Sequence, residues 1–294
     1  MEKFVSIDIG GTAIKYGVID SMANIISKGK MDTQASKGGQ AILQKVISIV
    51  NDYVKDYDIS GVCISTAGMV DSEKGEIFYS GPTIPNYIGV NFKNAIFEKF
   101  ALPCEVENDV NCAGLCEFMS GAASGSKIAL MLTIGTGIGG CAIIDGKVFH
   151  GANNCACEIG YMNMFGTTFQ KLGAASVLTQ RVAELKNESA DNWNGIRIFD
   201  EARNNDSDCI KAIDEMVDVL GMGIANICYV LNPEVVVLGG GIMAEQEYLR
   251  KRLEKALNNY LVPSLADCVR IEFAKNKNDA GILGAFYNYQ QIHS

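Results

Sequence analysis

The chain has 294 residues, 48% of them hydrophobic, only 5 prolines and a formal charge of −9. That composition is ordinary for a globular protein with room for two domains, and the negative balance speaks against a nucleic-acid or anionic-membrane surface. Apolar runs reach about ten residues, short of the roughly 18 that a bilayer span needs, and strand-like sequence begins almost at once, so a soluble, cytoplasmic chain without a signal peptide is expected.

Residues 4–9, 13–19 and 24–30 pattern as a three-stranded meander, its first turn carried by Asp8-Ile9-Gly10-Gly11-Thr12. Helical spacing predicts a helix over 39–56. Gly61 to Ser65 reads as a buried strand ending in the small-residue turn Thr66-Ala67-Gly68. Helices over 91–100 and 109–121 flank a strand at Cys104 to Val106. At Ile128 the pattern restarts: a strand, the turn Thr133-Ile134-Gly135-Thr136-Gly137-Ile138-Gly139-Gly140, a second strand and a third around Lys147-Val148-Phe149. Helices are predicted across 168–187, 196–204 and 206–231. An apolar strand, Glu234 to Leu238, then runs into Gly239-Gly240-Gly241, followed by a helix over 247–260, a strand from Val269 to Phe273 and a last helix from Asp279.

The order β-β-β-α-β-α-β-α is the ribonuclease-H-like arrangement, and its restart predicts two related lobes with a cleft. The expected N-terminal lobe is 1–112 plus 282–294, and the C-terminal lobe 113–281. Glycine turns let the backbone approach a polyanion, and successive N–H groups can cradle phosphate oxygens. No Walker A sequence occurs, and neither turn opens a helix as a dinucleotide fingerprint would.

Other residues add chemistry. Asp8, at a strand end beside a phosphate turn, can hold magnesium directly or through water. Gly239, Gly240 and Gly241 would let an adenine or ribose lie against the backbone. Glu107-Asn108-Asp109 follows a strand and opens a helix, where a carboxylate could take a proton from a substrate hydroxyl while an amide fixes it; the same residues would serve equally as a helix cap. Glu158 could accept sugar hydroxyl hydrogens or be a solvated glutamate. Tyr161 could pack against a ligand or cap a core. Most of the 10 cysteines lie in apolar segments and read as reduced core thiols. Cys155 and Cys157 lack a second cysteine or histidine cluster, and His150 and His293 are the only histidines.

Taken together, Asp8-Ile-Gly-Gly-Thr12 with Lys15, Ile64-Ser-Thr-Ala-Gly-Met-Val-Asp71, Glu107-Asn-Asp-Val-Asn111, Gly135-Thr-Gly-Ile-Gly-Gly140, Cys157-Glu-Ile-Gly160 and Leu238-Gly-Gly-Gly-Ile242 resemble, in order, the ROK family of bacterial sugar kinases and regulators. The resemblance implies the two-lobed, actin-like α/β ATPase fold, ATP and Mg2+ in the cleft, and transfer of the γ-phosphate to a sugar hydroxyl. It implies Asp109 as catalytic base, with Asn108 and Glu158 binding sugar and Gly68 contacting it through the backbone. Gly10, Gly11, Thr12, Lys15, Thr133, Gly135, Thr136, Gly137 and Gly239 to Gly241 fall to the nucleotide. A homodimer formed through the second lobe is also implied.

Three departures stand out. Tyr161 replaces the usual histidine after the glutamate, Gln170 replaces a glutamate of the following helix, and the downstream zinc cysteines are absent, so no zinc is expected. One zinc-less branch, the bacterial N-acetylmannosamine kinases, is similar through Gly75 to Tyr87, Gly89, Asn91-Phe-Lys93 and Thr167-Thr-Phe169. That similarity implies N-acetylmannosamine as acceptor, in sialic acid catabolism, and brings Thr83 and Asn86 near the sugar. A glucokinase or β-glucoside kinase is the rival enzyme. A DNA-binding regulator would need a helix-turn-helix before Asp8, where only seven residues stand, and a sugar-binding protein without turnover would not need an intact Asp109 and two phosphate turns.

Overall fold

A computed structural model describes the whole chain, Met1 to Ser294, as two compact units. The first takes Met1–Met119, Val148–Ala156 and Asn278–Ser294, and the second Ser120–Lys147 and Cys157–Lys277. The excursion Val148–Ala156 falls inside the range expected for the second lobe, yet it groups with the first.

In the first unit, β1 (Lys3–Ile9), β2 (Ala13–Asp20) and β3 (Ile25–Asp32) form the meander, followed by α1 (Gly39–Asp56) and β4 (Gly61–Thr66). A short hairpin, β5 (Met69–Asp71) and β6 (Glu76–Tyr79), precedes α2 (Phe92–Phe100), β7 (Cys104–Asn108) and α3 (Asp109–Ser120). The sheet order is β3-β2-β1-β4-β7, with β2 antiparallel to β1 and β3, and β4 and β7 running parallel to β1. Strands β1 and β4 are largely buried on both faces, because both faces of the sheet are covered. On one side α1 buries Ile42, Val46 and Val50 at helical spacing against Val5, Ile7 and Ile64. On the other, Ile282, Ala285 and Phe286 of the last helix pack on Phe4, Ile19 and Cys63. Strand β3 alternates half-buried and exposed residues, as an edge strand should.

The second unit contains β8 (Ile128–Ile134), β9 (Ile138–Ile144), β10 (Lys147–Val148) and a two-stranded ribbon, β11 (Asn163–Met164) with β12 (Thr167–Thr168). Then follow α4 (Gln170–Gly173), α5 (Ala175–Lys186), α6 (Gly195–Arg203), α7 (Ser207–Leu231), β13 (Val235–Gly239), α8 (Gln246–Tyr260), α9 (Pro263–Ala266) and β14 (Arg270–Phe273). The chain closes with α10 (Ala280–His293), which belongs to the first unit. The second sheet runs β10-β9-β8-β13-β14, with β9 antiparallel to β8, and β13 and β14 parallel to it. Its order repeats that of the first sheet, so each unit carries the ribonuclease-H-like arrangement of an actin-like α/β fold.

The segment predicted as one helix over 168–187 is broken. Ala174 is extended, with φ −73° and ψ 156°, and separates α4 from α5. The break lets Ala175 N–H reach the Gly135 carbonyl at 2.9 Å, a tertiary bond that outweighs local helical preference. No helix is long and apolar enough to cross a membrane.

Candidate active site

Ligands of open α/β sheets collect where parallel strands end. In the first unit the register aligns Asp8 of β1 with Ser65 of β4, and Ser65 with Glu107 of β7. One residue further, Ile9, Thr66 and Asn108 are level. Two strand spacings therefore separate the first glycine turn from the Asn108 corner, about 10 Å along one carboxyl edge.

The turn is held from below. Gly10 N–H donates to the Ala13 carbonyl at 3.1 Å, and Thr33 donates its hydroxyl to the Gly10 carbonyl at 2.6 Å and its N–H to the Thr12 carbonyl at 2.9 Å. Gly11 and Thr12 stay exposed, with the Thr83 methyl 3.7 Å from where a Gly11 side chain would begin. Asp8 accepts the Ser65 hydroxyl at 2.8 Å, and the Lys15 ammonium stands 3.8 Å from its other oxygen. Burial pushes the Asp8 carboxyl up, against the opposing pull of Ser65 and Lys15. The start of α10 rests on this carboxylate: a Cβ at Gly281 would lie 2.2 Å from Asp8 Cγ, so only glycine fits.

At the other end of the edge, Asn108 works twice. Its Oδ1 accepts Val110 N–H at 2.8 Å and Asn111 N–H at 3.1 Å, which caps α3. Its Nδ2 donates to the Gly68 carbonyl at 2.9 Å and to Asp109 Oδ1 at 3.1 Å. Asp109 is the first residue of α3, where the positive helix end favours a carboxylate. The cap and the candidate chemistry thus belong to neighbouring residues. Glu107 is 1% exposed; its Oε1 accepts Asn108 N–H at 2.7 Å and Asn111 Nδ2 at 2.9 Å, and its Oε2 meets His150 Nε2 at 2.6 Å. Asn86 is less engaged. It is exposed at φ 51°, and its carbonyl packs on Gly39 at the start of α1.

In the second unit both glycine runs reach one edge. Gly239 of β13 pairs with Thr133 of β8, and a Cβ at Gly240, whose φ is +106°, would lie 2.1 Å from the Ile134 carbonyl oxygen. Gly135 and Gly241 face open space. The turn closes through Gly135 N–H to the Gly137 carbonyl at 2.9 Å, and Ser176 Oγ donates to the Thr136 carbonyl at 2.8 Å. The N-terminus of α5 is therefore docked on the turn, the end of a helix that attracts anions. Gln170 fills the space behind it: its Oε1 is 2.6 Å from where a Gly137 Cβ would be and 3.0 Å from that of Gly160. Glu158 is half-buried, its backbone carbonyl accepts Tyr161 N–H at 3.2 Å, and burial raises its carboxyl above the ordinary value. Tyr161 ends the short 3-10 turn Ile159–Tyr161 and is 49% exposed.

A ROK family model matches residues 4–292. The chain belongs to the ROK family. Among ROK relatives, a Clostridium perfringens protein described as uncharacterized is 49% identical over 291 residues, 99% of each chain. A Listeria monocytogenes β-glucoside kinase is 30% identical over 297 residues, 98% of each chain. A solved Listeria monocytogenes structure, described as a candidate N-acetylmannosamine kinase, has a TM-score of 0.89 at 30% identity, covering 99% of this chain and 100% of its own. A ROK family glucokinase from Streptomyces griseus, in complex with glucose and AMPPNP, has a TM-score of 0.81 at 25% identity, covering 96% and 97%.

Four residues of this neighbourhood were not singled out by sequence reasoning as parts of a site: Ser65, Glu107, His150 and Gly281. Ser65 and Glu107 sit inside motifs already noted. His150 and Gly281 reach the edge from far along the chain, and only the rarity of histidine marks the first.

Proposed function

We propose that this chain is an ATP-dependent sugar kinase that phosphorylates N-acetylmannosamine to N-acetylmannosamine 6-phosphate. The observation that carries the kinase reading is Asp109 beside an Asn108 amide tied to Gly68, on the same sheet edge as the Asp8 turn. In this reading Asp109 takes the proton of the acceptor hydroxyl, the hydroxyl oxygen bonds to the terminal phosphorus of ATP, and the bond from that phosphorus to ADP breaks. Such a transition state is loose, so the protein mainly positions groups and balances charge. Asn108, the Gly68 backbone and Glu158 bind sugar hydroxyls, with Tyr161, Thr83 and Asn86 around them. Gly10, Gly11, Thr12 and Lys15, with Thr133, Gly135, Thr136 and Gly137, take the phosphates. Gly239, Gly240 and Gly241 take the nucleoside.

Asp8 fits Mg2+, which keeps most of its waters and needs one or two carboxylates besides phosphate oxygens. Bound there, the ion would offset phosphate charge. The reading takes no zinc, because the sequence lacks the downstream cysteines of the family's zinc cluster. A cytoplasmic homodimer is part of the same reading, supported by family resemblance.

The choice of N-acetylmannosamine is supported by the similarity through Gly75–Lys93 and by the name given to the Listeria structure. A glucokinase or β-glucoside kinase is the second reading, favoured by the 30% identical relative and the glucose-bound structure. ADP release measured with N-acetylmannosamine, N-acetylglucosamine, glucose and cellobiose separates them. The first reading expects the highest kcat/KM on N-acetylmannosamine; far faster turnover of glucose or cellobiose overturns it.

A further inference from the structure

We propose that His150 is a positioning residue that holds Glu107 and, through it, the Asn108–Asp109 corner. The inference rests on the kinase reading for its effect on turnover, but the mechanical link stands on geometry alone. A carboxylate buried as deeply as Glu107 needs a donor for each oxygen. Oε1 has two, from Asn108 just before Asp109 and from Asn111 two residues after it. Oε2 has His150. Loss of that contact leaves a buried charge under-satisfied at the point from which the corner hangs.

The ring is presented by the segment Val148–Ala156, which groups with the first unit. Val148–Ala156 contains no Asp, Glu, Lys or Arg, and it turns back on itself through Ala156 N–H to the His150 carbonyl at 3.1 Å. The ionisable group set against the ring is Glu107 of β7, at 2.6 Å. The Glu107 hydrogen bond raises the imidazole's proton affinity above its ordinary value against the opposing effect of burial. Rising pH therefore removes the imidazolium charge first, while a neutral ring can still donate through one tautomer.

The test uses His150→Ala and His150→Gln in the full chain, with Tm and ATP binding as folding controls. Misplacement of a catalytic group by about 1 Å can cost ~10²-fold, so His150→Ala should lower kcat at least about tenfold with KM for ATP within about twofold. Gln keeps an N–H donor but cannot titrate. It should restore kcat to within about threefold, and its kcat–pH profile should lack any inflection that the wild type gives as His150 loses its proton. Wild-type kcat and pH profile in both variants would overturn the inference; should His150→Ala fail to fold, the Gln profile decides. A readout independent of activity is NMR titration, simple in a chain with two histidines. The Asn108 amide, which donates to Glu107, should shift with the His150 midpoint in the wild type and not in His150→Gln. An indifferent Asn108 amide overturns the inference whatever the assay gives. A wild type inactive on every sugar, with the amide following the histidine, overturns only the kinase reading.

Discussion

Asp109 and Asn108 show how one short segment carries two jobs. The asparagine closes the helix end, and the aspartate next to it keeps a carboxylate at that end. Asp109→Asn should leave ATP affinity by calorimetry within about twofold while sugar phosphorylation falls ~10²–10⁴-fold, the usual worth of a positioned base. Near-normal turnover would remove Asp109 from its role. Glu158 gives a pH test. Its carboxyl, raised by burial, must be ionised to accept sugar hydroxyls, so KM for sugar should climb as pH falls through that raised value. Glu158→Gln should raise KM at neutral pH and flatten the profile; an unchanged KM would mean that Glu158 does not touch the sugar. At Gly281 the added methyl of Gly281→Ala meets the Asp8 carboxylate, and KM for Mg-ATP should rise several-fold with little change in KM for sugar. The turn glycines, Asp8 and the Asn108–Asp109 pair were legible because small and polar residues stand at the ends of apolar strands. Gly281 and Ser65 were not, because their role exists only through contact with Asp8.

Helix ends decide much at the next scale. Asp206 precedes α7, accepts Cys209 N–H at 2.9 Å and takes the Lys186 ammonium of α5 at 2.6 Å. The Lys186 hydrogen bond, followed by the cap bond, holds its carboxyl down at about 2. A depressed folded-state pKa adds stability that is present above the ordinary carboxylate value and is lost as pH falls through about 2. Asp206→Ala should cost about 1 kcal/mol at neutral pH and remove that part of the acid dependence in a denaturation series. Phe286 of α10 is fully buried against Phe4 and Cys63, so Phe286→Ala should cost about 3–5 kcal/mol. Helices α1 and α7 were legible from apolar period alone, since each buries one long face. The split at Ala174 and the β5–β6 hairpin were not: the first depends on a carbonyl of a distant turn, and the second has strands of three and four residues.

Across the whole molecule, two sheets of the same strand order each bring glycine-rich turns to their carboxyl edges. That duplication was visible in the sequence because the strand, turn, strand pattern starts twice, at Phe4 and at Ile128, with buried parallel strands following each time. The path of Val148–Ala156 was invisible, since its grouping with the first unit depends on pairings such as His150 with Glu107. Choice of sugar is the least legible property, because hydroxyl-binding residues suit many acceptors. Transfer of phosphate from ATP to a sugar hydroxyl can be followed by 31P NMR of a mixture of protein, Mg-ATP and N-acetylmannosamine. A sugar 6-phosphate resonance should grow as ATP turns to ADP, and should be lost in Asp109→Asn. Intact ATP, or hydrolysis to inorganic phosphate alone, with this and every other sugar would contradict the account.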